Sequence, residues 1–130
     1  MKKLEIKLIN FNNALQRLKE AAKELETENA SDVVRDGVIQ RFEFTYELAW
    51  KTTKEYFEDI GIVDKNSPKA VVKEAYAQKL ILDEQTWLLM LNDRNLTTHV
   101  YKEETAKEIV ARIINNYINE FENLLMNLKK

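Results

Sequence analysis

The chain has 130 residues, 45% hydrophobic and 32% charged, enough apolar material for one domain around one core and enough charge to keep it in solution. Twenty basic residues against 22 acidic ones leave a net charge of -2, without the basic excess of a protein that binds nucleic acid by neutralising phosphates. Any such contact has to come from a local patch or an assembled groove. Cysteine is absent, which excludes disulfides, thiolate metal sites and cysteine nucleophiles.

Two glycines and one proline leave little punctuation, so long uninterrupted helices are expected. The first segment, about residues 3–27, repeats Leu4, Leu8, Phe11, Leu15, Leu18, Ala22 and Leu25 at steps of three and four, an amphipathic helix with a solvated Lys/Glu face. Met1-Lys2-Lys3-Leu4 only imitates a secretory leader, because Glu5 and Lys7 interrupt the apolar stretch that one requires. No segment reaches the roughly 18 apolar residues that span a bilayer, and the expected location is the cytoplasm.

Ser31 is placed to cap a second helix that runs to Ile60, with Gly61 suited to its C-terminal cap. Ile39, Phe42, Tyr46, Ala49 and Trp50 form one stripe on it, with Phe44 and Leu48 lying off the stripe, so packing on more than one side is expected. Core aromatics are the plain reading of that stripe. Ser67 and Pro68 open a short third helix that ends before Leu82. Asp83 can cap a fourth, where five consecutive apolar residues, Trp87 to Leu91, point all the way round and predict a turn enclosed on several sides. The last helix runs from Glu103 or Glu104 to Leu128, with acidic residues in its first turn and Lys129 and Lys130 after its end, both favourable to the helix dipole. The expected fold is a single all-α domain over residues 1–130, an antiparallel up-and-down four-helix bundle with one additional short helix.

Helical bundles often hold metals, but a di-iron bundle needs two Glu-x-x-His pairs and this chain has one histidine. No metal or cofactor is expected. Glu43 and Glu47 lie among lysines and read as surface residues or as supports for a neighbouring group. The stretch from Asp93 to Tyr101 gathers the only histidine with an arginine, an amide, two hydroxyls and a phenol. On a continuous helix Arg94 and His99 point about 140° apart, so their convergence requires a helix end, a bend or a second copy of the chain. Thr97 and Thr98, both β-branched, make a departure from regular helix plausible there.

Two readings of this stretch stand side by side. In the plain one, His99 bonds a backbone carbonyl at a helix end, and Arg94 pairs with Asp93 or a nearby glutamate. In the other it is a phosphodiester site, where arginine grips phosphate oxygens bidentately and histidine exchanges a proton near neutral pH. Metal-independent RNA cleavage needs both a base and an acid, and a symmetric homodimer would supply two histidines. The surplus apolar surface at Trp87–Leu91 is what such an interface would use.

The spacing Arg94-x4-His99-x-Tyr101 resembles the signature of HepT-like proteins in the HEPN superfamily. The second helix, Arg41-Phe42-Glu43-Phe44-Thr45-Tyr46-Glu47-Leu48-Ala49-Trp50-Lys51, is similar to the branch named nucleotidyltransferase substrate-binding proteins. The resemblance implies a homodimeric bundle encoded beside a minimal nucleotidyltransferase. It implies a ribonuclease toxin with RNA as substrate, Arg94 and His99 catalytic, Asn95 a polar helper, and Tyr101 accepting AMP from the nucleotidyltransferase, which acts as antitoxin. AMP on that phenol would put bulk and negative charge in the path of RNA. The alternative within the same resemblance is a non-catalytic substrate-binding subunit of a two-component nucleotidyltransferase.

Overall fold

In a computed structural model that describes residues 2–27, 31–99 (Thr98 and His99 by backbone alone) and 102–130, every regular element is helical. The order is α1 (Lys3–Leu25), α2 (Asp32–Asp59), α3 (Pro68–Ala77), α4 (Glu84–His99), α5 (Glu103–Arg112), a π-helical turn (Ile113–Tyr117) and α6 (Ile118–Leu128). The residues that flank the π turn keep right-handed helical torsions, so α5, the turn and α6 form one rod. Four long helical rods and the short α3 give the all-α bundle expected from the sequence. Among the described residues, no helix is long and apolar enough to cross a membrane.

The helix ends follow from local chemistry. The Ser31 hydroxyl accepts the Val34 N–H and the Ser67 hydroxyl accepts the Ala70 N–H, with Pro68 at the first helical position. Asp83 accepts from both the backbone N–H and the hydroxyl of Thr86, at 3.0 and 2.6 Å, and so opens α4.

Helix α2 closes in a Schellman turn, in which Gly61 sits at φ 88° while Ile62 N–H donates to the Phe57 carbonyl at 2.8 Å. Helix α3 closes in the same motif, but with Lys79 at φ 61° where glycine would be unstrained. Opposite outcomes are expected from exchanging the two residue types. Gly61→Ala should cost about 1 kcal/mol, through backbone strain alone because open space surrounds the added methyl, whereas Lys79→Gly should stabilise by a similar or smaller amount. Urea unfolding midpoints check both signs.

Aromatic rings from every long rod build the core. Phe42 of α2 stacks on Tyr117 at 5.5 Å, Trp87 of α4 meets Phe121 of α6 edge-on at 5.7 Å, and Phe11 of α1 meets Phe121 at 6.2 Å. Trp87 also donates its indole N–H to Glu120 at 3.1 Å, so its single polar atom is satisfied although the ring is buried.

One packing expectation changes. The Trp87–Leu91 turn is not enclosed all round within one chain: Trp87 and Met90 are buried, Leu88 and Leu91 are half-buried, and Leu89 is 43% exposed. The core lies on one side of α4, and the outward azimuth remains open.

Candidate active site

Arg94 and its neighbour Asp93 are consecutive on α4, about 100° apart around the helix, and they go to different partners. Asp93 turns inward and is fully buried. Arg112 donates to both of its oxygens, Nε to Oδ2 and Nη2 to Oδ1, each at 2.8 Å, and the Tyr117 hydroxyl donates to Oδ2 at 2.5 Å. This is a bidentate, charge-assisted arrangement with the remaining carboxylate capacity used by a phenol. Hydrogen bonding to the carboxylate holds the Arg112 guanidinium above its usual range. Burial and then the Asp93 carboxylate push the Tyr117 phenol up, so it stays a donor at physiological pH.

Arg94 turns toward α2. Its guanidinium lies 3.5 Å from Glu43 Oε2 and 3.5 Å from Glu47 Oε1, two carboxylates one helical turn apart on the same face. Glu47 is itself held by the Trp50 indole N–H at 3.2 Å and faces Lys51 at 3.6 Å. The Lys51 ammonium also lies 5.9 Å from the centre of the Trp50 ring. Lys51, Glu47, Arg94 and Glu43 thus form a line of alternating charge.

The Arg94 contacts are loose. At 3.5 Å they are ion pairs rather than tight hydrogen bonds, and the side chains of Arg94, Glu43 and Glu47 are 22%, 26% and 34% exposed. Beneath them, the Arg94 Nε–H and the Tyr46 hydroxyl are buried with no hydrogen-bond partner among the described residues. Burial first, and then the negative charge of Glu47, push the Tyr46 phenol up, against an opposing pull from Arg94. A phosphodiester could exchange with the carboxylates at Arg94, since its two free oxygens can accept from Nη1 and Nη2, which now face one oxygen each of Glu43 and Glu47.

Of the sequence-predicted site residues, Arg94 is fixed on the α2–α4 face and Asn95 follows on the exposed side of α4. His99 ends α4; its side chain, and the whole of Tyr101, lie outside the described residues. The backbone is helical through Thr97 and Thr98, where a departure from regular helix was expected, and α4 ends at His99. Thr97 instead bonds its hydroxyl back to the Arg94 carbonyl at 2.8 Å. Of the alternatives for Arg94, the structure selects the nearby glutamates rather than Asp93.

Sequence reasoning gave Glu43 and Glu47 no more than a supporting place, and it missed Arg112 and Tyr117. The i, i+4 spacing of the two glutamates was the available signal. Among the described residues no group of three His, Cys, Asp or Glu is placed to hold a metal ion.

The chain is an all-α bundle that presents an arginine from α4 against an acidic pair on α2, and comparison with known proteins defines its family. A sequence model of the family described as nucleotidyltransferase substrate binding protein like matches residues 6–130, and the chain belongs to that family. It is 32% identical over 103 residues to a Haemophilus influenzae protein named "Probable ribonuclease HepT", across 76% of this chain and 70% of the relative. A solved structure from Thermus thermophilus superposes with a TM-score of 0.83 at 36% identity, covering 92% of this chain and 99% of that one. A Shewanella oneidensis HEPN toxin, described as tri-AMPylated and in complex with an MNT antitoxin, shares the fold with a TM-score of 0.79 at 17% identity, over 99% and 98% of the two chains.

Proposed function

We propose that the chain is a metal-independent ribonuclease toxin whose partner is a minimal nucleotidyltransferase antitoxin, with Arg94 and His99 as catalytic residues. The observation that carries this reading is the placement of Arg94, mounted on a rigid helix yet only loosely held, beside kinship to a protein named as a ribonuclease HepT. Arg94 takes the scissile phosphate and stabilises its growing charge. Imidazoles of His99 from two copies of the chain serve as base and acid: one removes the proton of the RNA 2′-hydroxyl, and the other protonates the leaving 5′-oxygen. Asn95 assists as a polar contact to the substrate. Tyr101 accepts AMP and thereby blocks the site by bulk and charge.

The second copy would lie along the exposed stripe of α4, where Leu89 and Leu96, 43% and 38% exposed, flank Asn92. These positions, three or four residues apart, stay on one outward face. A two-fold axis beside that stripe would bring the C-terminal ends of two α4 helices, each carrying one His99, to a shared cleft.

A second reading is favoured by the family description and by the carboxylates on Arg94: a non-catalytic subunit that presents a substrate to the nucleotidyltransferase. Incubation with the partner enzyme and ATP, followed by intact mass measurement and an RNA cleavage assay, separates the two. The ribonuclease reading expects adenylyl mass on Tyr101 together with loss of a cleavage activity present beforehand. AMP on some other molecule, with no cleavage at any stage, supports the presenting subunit.

A further inference from the structure

The π turn at Ile113–Tyr117 is set apart from the rest of the bundle by geometry and by what it touches. Ile118 N–H donates to the Ile113 carbonyl, an i to i−5 bond in place of the usual i−4. Such wide turns are rare and collect at functional sites. In a regular α-helix Arg112 and Tyr117, five residues apart, would point about 140° away from each other. The extra residue in the wide turn brings position i+5 back over position i, and both side chains reach the same carboxylate, Asp93.

Asp93 and Arg94 therefore anchor α4 on two sides with unequal strength. Asp93 is fully buried and bound by three short hydrogen bonds, whereas Arg94 is partly exposed and held by two 3.5 Å ion pairs. The tight anchor sets the rotation of α4 about its axis, and the loose one leaves the guanidinium free to exchange carboxylate for phosphate.

We propose that Asp93 is a positioning residue: through Arg112 and Tyr117, gathered by the π turn, it fixes the rotation of α4 and so aims Arg94. Its kinetic consequence rests on the ribonuclease reading, but the aim of Arg94 can be observed without it. Tyr117→Phe keeps the ring stacked on Phe42 and removes one hydrogen bond, while Asp93→Asn removes the charge. Leu18→Ala, a core change on α1, serves as a control for general loss of stability. The readout is the NMR resonance and hydrogen exchange of the Arg94 side-chain Nε–H, alongside kcat and KM for an RNA substrate.

In folded Tyr117→Phe the Nε–H signal should shift and exchange faster, and kcat should fall about tenfold with KM changed less, as expected for a displaced catalytic group. Leu18→Ala should leave both unchanged below its melting temperature. An Arg94 signal unmoved in both Tyr117→Phe and Asp93→Asn would overturn the proposal, and so would a moved signal with unchanged kcat. If wild-type protein cuts no RNA, the ribonuclease reading fails, and the Nε–H measurement still decides whether Asp93 aims Arg94.

Discussion

In the Arg94→Ala variant, RNA cleavage should fall by on the order of a thousandfold, the scale for losing a group that stabilises transition-state charge. The fold should survive. The ion pairs to Glu43 and Glu47 are long and partly solvated, and pairs of that kind contribute little to stability. Their loss leaves the two glutamates facing each other at i, i+4, a small repulsion that Lys51 and the Trp50 indole offset at Glu47. Initial rates on nucleotide-free protein, with thermal melts on the same samples, give the comparison. A variant that melts normally and cuts RNA at the wild-type rate would remove Arg94 from the mechanism.

Asp93→Ala should lower both stability and cleavage, since it loosens α4 as well as the aim of Arg94, and the loss of stability should be the larger effect. The substitution deletes a fully buried carboxylate and strands one guanidinium and one phenol that were bonded to it. Breaking a fully buried pair by removing one partner costs roughly 3–5 kcal/mol. Because the Arg112 side chain is 29% exposed and can be hydrated, the expected loss lies at the lower end of that range, still a large fraction of the stability of a domain this size. Tyr117 also stacks on Phe42, so slack at this point reaches the aromatic core through the π turn. Urea denaturation followed by tryptophan fluorescence reports the loss directly, since Trp87 lies in that core. A midpoint equal to that of the wild type would mean that the cluster does not hold α4.

The helices were legible in the sequence because their signals are local. Ser31, Ser67-Pro68 and Asp83 each cap a helix through a side chain acting on the next turn, and such signals do not depend on the rest of the fold. The π turn was not legible. Ile113-Ile114-Asn115-Asn116-Tyr117 carries no residue that marks an i to i−5 bond, and the pull of Asp93 on both Arg112 and Tyr117 comes from another helix.

The same limit governed the pairing of Arg94. Asp93 and the α2 glutamates were equal candidates by charge, and only the rotation of α4, which buries Asp93, decides between them. The apolar run at Trp87–Leu91 was visible, but which of its members faces outward was not. Leu89 takes that place because Trp87 and Met90 occupy the core side. The Arg94–His99–Tyr101 spacing was visible as a pattern, and the chemistry proposed for it calls on a second copy of the chain.

Cleavage chemistry offers the most direct test of the central claim. Nucleotide-free wild-type protein should cut a defined RNA in the presence of excess chelator, leaving a 2′,3′-cyclic phosphate on one product and a 5′-hydroxyl on the other, and a single 2′-deoxy substitution at the cut position should stop it. Intact RNA under those conditions, or cleavage that needs a divalent ion and leaves a 5′-phosphate, would contradict the account.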